Sequence, residues 1–123
     1  MLVSDDNVVN QKLTTALLVR LGCDVDTADN GMETVDKVST GDYRLVFMDC
    51  VMPGMDGFEA ALAIRNLPGQ CSNIPIVALT ASATVEDRDR CLLVGMNDFL
   101  TKPVRPDQTA SCLDKWTPKR TTA

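Results

Sequence analysis

The sequence predicts an α/β domain: a doubly wound five-stranded parallel sheet with helices on both faces. Three observations predict it. Apolar runs at Met1–Val3, Cys23–Ala28, Leu45–Met48, Ile74–Leu79 and Phe99–Leu100 alternate with segments of helix length, the alternation that parallel strands and their crossovers require. The intervening segments carry helix start and stop signals. Four polar signals, Asp5-Asp6, Asp49, Thr80 and Lys102-Pro103, each follow a run, at the strand ends where open α/β sheets bind ligands. With 123 residues, the chain can bury one core without disulfides or a structural metal.

The first run is shorter than the roughly five residues of an ordinary strand. It predicts a shortened β-strand, as though the chain began inside it, without displacing the acids that follow. Val9, Leu13, Leu17 and Leu21 then repeat at helical spacing, with Asp6 or Asn7 available as cap and Gly22 as stop. The second run is weak and ends near Asp29-Asn30 with no comparable polar signal, as expected of an outer strand. A second helix is expected from about Met32 to Ser39, ended by Gly41. The third run leads into Asp49 and the loop Cys50-Val51-Met52-Pro53-Gly54-Met55-Asp56-Gly57. A third helix should cover Phe58 to Asn66, stopped by Pro68, and a fourth Val85 to Val94, stopped by Gly95. Pro106 suits the first turn of a fifth, whose packing face is Leu113 and Trp116. The polar residues from Thr117 onward give a domain over 1–116 and a tail over 117–123. With the second strand outermost, the order is 2-1-3-4-5, and the first strand lies beside the third.

Composition excludes several functions. The net charge is −5 and the basic residues are scattered, so nucleic-acid binding is not expected. No apolar run is long enough to span a membrane and no signal segment is visible, which predicts a soluble cytoplasmic domain without direct membrane contact. Five cysteines stand at least 20 positions apart, without the paired spacing of a metal site, and read as reduced packing residues. The absence of histidine removes histidine-assisted nucleophiles and any internal phosphohistidine.

The strand order brings Asp5 and Asp6 beside Asp49. Three neighbouring carboxylates repel, so the cluster calls for a cation. Magnesium, with its preference for oxygen ligands and retained water, is the natural one. Lys102 supplies opposite charge and Thr80 a hydroxyl for a phosphate oxygen. Each residue also has a plainer reading. Asp5-Asp6 alone would be a helix-capping pair, Thr80 a strand end, Lys102 a solvated charge and Phe99 a core residue. It is the coincidence of the acids with Lys102 that favours a site. Asp56, Gly54 and Gly57 read as turn residues, Met48, Met52 and Met55 as packing, and Trp116 as packing of the last helix. Cys50 should point away from Asp49 because strand side chains alternate.

The motifs Asp5-Asp6-Asn7, Met48-Asp49 with Met52-Pro53-Gly54-Met55-Asp56-Gly57, Ala78-Leu79-Thr80-Ala81 and Asp98-Phe99-Leu100-Thr101-Lys102-Pro103 are weak singly and specific together. On them the chain resembles the receiver domain of two-component response regulators over essentially its whole length. That family has the flavodoxin-like strand order 2-1-3-4-5, so the order is partly taken from the resemblance. The resemblance implies that Asp49 accepts a phosphoryl group from a phosphohistidine on a histidine kinase or histidine phosphotransfer protein. It implies that Asp6, Asp49 and the backbone carbonyl of Val51 hold Mg2+, with Asp5 acting directly or through water. Lys102 would pair with the phosphoryl group, Thr80 would close onto it, and Phe99 would turn inward on activation. A cis peptide before Pro103 is also implied. The readout would be the surface of the fourth helix, fifth strand and fifth helix, and a phosphorylation-linked homodimer is allowed. The wording Asp5-Asp6-Asn7-Val8-Val9-Asn10 and Met48-Asp49-Cys50-Val51-Met52-Pro53 looks most like receivers of hybrid histidine kinases, which belong to phosphorelays. Such a domain is the cytoplasmic portion of a kinase that can itself be membrane-bound.

Three rival readings compete with this one. A phosphatase of the haloacid dehalogenase type places a second aspartate two residues after its nucleophile, where this chain has Val51, which cannot transfer a proton. Only self-catalysed phosphorylation and slow dephosphorylation are then expected, and the resemblance implies that Val51 and Ser82 tune the latter rate. A flavodoxin-like electron carrier is disfavoured by acids where a flavin phosphate would sit. A degenerate receiver used only for protein binding is the remaining alternative.

Overall fold

The computed structural model describes residues 1–41, 43–50, 54–81, 84–102 and 104–116. Among them lie β1 (Leu2–Ser4), α1 (Val8–Arg20), β2 (Asp26–Ala28), α2 (Gly31–Thr40), β3 (Val46–Asp49), α3 (Gly57–Arg65), β4 (Ile76–Thr80), α4 (Val85–Leu93), β5 (Asp98–Thr101) and α5 (Pro106–Trp116). A 3-10 turn at Gln70–Asn73 precedes β4 and was not expected. The sheet order is β2-β1-β3-β4-β5 and every pairing is parallel, as the sequence predicted. Leu2 lies opposite both Asp26 and Val46, so β1 is flanked by β2 and β3.

The first strand has three residues, as anticipated, but β2 is also shorter than its apolar run. The reason is local. Gly22 takes a left-handed φ of +89°, which lets its N–H bond the Val19 carbonyl at 3.0 Å and the Cys23 N–H bond that of Leu18 at 3.1 Å. The first residues of the run thereby close α1 instead of joining the sheet. The expected caps hold with two refinements. Asn7, not Asp6, caps α1 through the Asn10 N–H. Asp56 is more than a turn residue, since it forms a reciprocal capping box with Glu59 at the start of α3.

Side-chain alternation divides the sheet between two cores. Val46, Met48 and Cys50 face a layer that includes Ala60, Ala61 and Ile64 of α3 and Cys91 of α4. Val3, Phe47, Val77 and Leu79 face Leu18 of α1 and Cys112 and Leu113 of α5. Trp116 packs at the rim of this second core and its indole N–H donates to Asp98 Oδ2 at 3.0 Å.

The orientation of α1 departs from the simplest reading of its leucine stripe. Its buried residues are Gln11, Thr14 and Leu18, whereas Val9 and Leu13 are 66% and 63% exposed. A four-residue repeat advances about 40° per step around a helix of 3.6 residues per turn. The stripe therefore winds from opposite the sheet at Val9 to its margin at Leu21, which alone of the four packs on the core.

This phase predicts that Leu18→Ala costs about 2–5 kcal/mol of stability by leaving a cavity. Leu13→Ala should cost within about 0.5 kcal/mol. Urea denaturation with an unchanged slope would separate them, and equal costs would contradict the helix orientation.

Candidate functional site

The strands end along one edge, and their terminal residues build a cluster. Asp49 closes β3 and Thr80 closes β4. The ladder continues past both strands, with Cys50 N donating to Leu79 O at 3.1 Å and Lys102 N donating to Thr80 O at 2.7 Å. Asp5 follows β1, and its N–H bonds Ala28 O at 3.1 Å. Asp5 and Asp49 are 1% and 4% exposed, while Asp6 is exposed. One carboxylate oxygen from each of the three lies within 4.8 Å of the others.

Lys102 Nζ stands 3.0 Å from Asp49 Oδ1 and 3.6 Å from Asp5 Oδ2. The second distance is too long for a hydrogen bond, so that attraction is Coulombic. Asp5 Oδ1 accepts the Asn7 N–H at 2.9 Å, whereas Oδ2 is buried without a hydrogen bond among the described residues. A buried carboxylate oxygen without a donor is costly. A hard divalent cation bound among the three acids would satisfy it, and the all-oxygen donor set suits magnesium.

A cleft of about 310 Å³ opens over the cluster, lined by Asp6, Asn7, Asn10, Asp49, Thr80 and Lys102 among others. A larger, mostly apolar groove of about 400 Å³ runs between α1 and α5, where Leu13, Leu17, Val104 and Pro106 lead inward to Asp5 and Lys102. Asp6 and Asp49 line the smaller cleft, Asp5 lies at the inner end of the larger groove, and Lys102 borders both.

Asp5, Asp6, Asp49, Thr80 and Lys102 are thus brought together. Val51, Ser82 and Pro103 lie outside the described residues, and with them the expected carbonyl ligand and the cis peptide. Phe99 is half-buried outside the cleft, packed on the α3–α4 core with the Arg88 guanidinium 5.4 Å from its ring centre. Cys50 points into that same core, as expected. Burial, followed by contact with Cys91, pushes its thiol up to about 12, so it carries no charge beside Asp49 at neutral pH.

Two contributors were not identified from sequence. A Cβ on Gly57 would overlap the carbonyl oxygen of Asp49 and lie 2.8 Å from the Cα of Cys50. Glycine therefore serves close approach of α3 to the end of β3. Gln11 is buried and donates to the main chain of Asp5, a role that emerges only when the phase of α1 is known.

Residues 1–114 match the family described as response regulator receiver domain. Among relatives, hybrid signal transduction histidine kinase B of Dictyostelium discoideum is 46% identical over 114 residues, 85% of this chain and 6% of that protein. Sensor histidine kinase GacS of Pseudomonas protegens is 41% identical over 92% of this chain and 12% of its own length. The chain thus spans a small part of these relatives. Among solved structures, the receiver domain of a Pseudomonas aeruginosa sensor histidine kinase, with magnesium in its active-site cleft, superposes with a TM-score of 0.86 at 37% identity, covering 94% of this chain and 93% of that one. The receiver domain of Saccharomyces cerevisiae Ssk1, in complex with the histidine phosphotransfer protein Ypd1, gives a TM-score of 0.88 at 34% identity, covering 97% and 88%.

The close approach at Gly57 yields a direct test. Gly57→Ala should destabilise the fold by about 1–3 kcal/mol, the usual cost of overpacking. A variant with the wild-type denaturation midpoint would mean that α3 does not abut Asp49 so closely.

Proposed function

Because the chain belongs to the response regulator receiver domain family, we propose that it accepts a phosphoryl group on Asp49 from a phosphohistidine of a partner, in a magnesium-dependent step of a phosphorelay. One observation carries this reading: oxygens of Asp5, Asp6 and Asp49 lie within 4.8 Å of one another, with Lys102 Nζ 3.0 Å from Asp49. An Asp49 carboxylate oxygen forms the new O–P bond as the P–N bond to the donor imidazole breaks and the imidazole nitrogen leaves with the electron pair. Asp6, Asp49 and the Val51 carbonyl would hold the cation, with Asp5 acting directly or through water. Bound Mg2+ supplies charge neutralisation to the carboxylates and phosphoryl oxygens. Lys102 balances the group from the other side, and the Thr80 hydroxyl donates to one of its oxygens. With Val51 at the position where a phosphatase would carry an acid, the chain acts on its own phosphoryl group and not on external esters.

The donor must approach the open cleft. Val8, Val9 and Leu13 of α1 are 57%, 66% and 63% exposed, and they begin one residue after Asn7 at the cleft margin. This apolar patch serves as the landing face of a histidine phosphotransfer protein, the kind of partner with which the Ssk1 receiver forms a complex. The readout face comprises α4, β5 and α5, where Leu92 and Leu93 are exposed and Phe99 adjoins Arg88. Phosphorylation shifts its conformation through Thr80 and Lys102. A phosphorylation-linked homodimer and a cytoplasmic location within a longer hybrid kinase complete the reading.

Intact mass after incubation with acetyl phosphate should show one phosphoryl adduct that requires Mg2+ and is absent in Asp49→Asn. A folded, magnesium-binding protein that gains no adduct from either acetyl phosphate or a phosphohistidine donor would instead be a binding-only receiver. Leu13→Glu should leave labelling by acetyl phosphate unchanged. It should slow transfer from a phosphorylated phosphotransfer protein by about tenfold, roughly 1.4 kcal/mol, as burial of a charge at an apolar contact predicts. Equal transfer rates would place the donor elsewhere.

A further inference from the structure

Gln11 is a polar residue on the buried face of α1, between Asp5 and the end of β2. Its Nε2 lies 3.1 Å from the Asp5 carbonyl oxygen, 3.2 Å from that of Ala28 and 2.9 Å from Asp29 Oδ1. All three neighbours are acceptors, so the end of the amide that meets them must be the NH2 group. A buried amide is favourable only when partnered in this way, and its partners are specific. Two of them, Asp5 and Ala28, are joined by the last β1–β2 ladder bond, Asp5 N to Ala28 O. Both strands have three residues, so the sheet itself offers few bonds to hold the chain where the acids emerge.

We propose that Gln11 is a positioning residue for the cation-holding acids. It braces the Asp5 main chain from α1 and replaces the restraint that a longer β1 would supply. Asp5 in turn is tied to the turn that presents Asp6, because its Oδ1 accepts the Asn7 N–H at 2.9 Å. Gln11 touches neither cation nor phosphoryl group and acts through this turn, as outer-shell hydrogen bonds orient metal ligands elsewhere. The inference rests on the magnesium-dependent reading of the site.

The test is Gln11→Met, which keeps length and helix preference while removing the donor. Labelling by acetyl phosphate is followed as a function of Mg2+ concentration, and amide hydrogen exchange is followed in the metal-free protein. The half-saturating Mg2+ should rise about tenfold, the low end of the loss caused by removing an outer-shell partner, while the rate at saturating Mg2+ stays within about twofold. Exchange at Asn7 should accelerate in the metal-free protein while Val77 and Leu79 in the core stay protected. Unchanged half-saturation would overturn the proposal, and so would uniform loss of protection, which would make Gln11 a fold brace only. Absence of magnesium binding by the wild type would instead overturn the reading of the site itself. Should Gln11→Met fail to fold, Asp29→Ala and Asp29→Asn provide the comparison. Both remove the charge, but only Ala removes the acceptor, so a larger Mg2+ shift for Ala supports the brace and equal shifts overturn it.

Discussion

The whole arrangement depends on holding three carboxylates against their mutual repulsion at one sheet edge. At an effective dielectric of about 20, charges within 4.8 Å of one another repel by at least about 3.5 kcal/mol, so three such pairs oppose assembly by at least about 10 kcal/mol. Lys102, at 3.0 and 3.6 Å from two of them, returns a similar amount on the same scale. Lys102 therefore at most balances the repulsion and leaves nothing to offset an incoming phosphoryl dianion. That shortfall is the physical case for a divalent cation, and it agrees with the buried Asp5 oxygen that lacks a donor.

Repulsion of this size needs a rigid frame, which the fold supplies unevenly. Asp49 is secured from several directions, since β3 pairs with β1 and β4 and α3 presses on its backbone at Gly57. Asp5 leaves a three-residue strand with one ladder bond beyond it. The Gln11 side chain from the helix and the Asn7 main-chain N–H from the turn supply what the ladder does not. A site on short strands is workable because restraint need not come from the sheet alone.

Much of this was legible in sequence. Strand order followed from the weakness of the second run, the position of the polar signals and, in part, the family resemblance, and Asp5, Asp6, Asp49, Thr80 and Lys102 stand out in the sequence by their place after the apolar runs. What escaped depended on angles and contacts that a linear pattern does not encode. The stripe from Val9 to Leu21 identified a helix but not its buried face, because four-residue spacing drifts around the axis and Gln11 and Thr14 occupy positions an apolar rule assigns to solvent. Cys23 belonged to an apolar run yet was taken to close α1. Gly57 read as a turn glycine, and only the packing of α3 against β3 revealed that its missing side chain is the requirement.

On the proposed reading, coupling between the cleft and the distal surface would follow from the same economy of restraints. Lys102 N bonds Thr80 O at 2.7 Å, so the two residues that would meet a phosphoryl group share a backbone bond and cannot shift independently. Beyond Thr80 the chain reaches α4, whose far end is pinned. The Arg65 guanidinium bonds Gly95 O at 2.6 and 2.9 Å and Asn97 Oδ1 at 2.9 Å, and Asn97 Oδ1 also accepts the Ile76 N–H at 2.9 Å. At its near end α4 is capped by the Thr84 side chain and exposes Val85. On the proposed reading, a small displacement at the cleft would reach α4 as a rotation about its pinned end. Packed elements respond to local charge by moving between such discrete arrangements, not by deforming continuously.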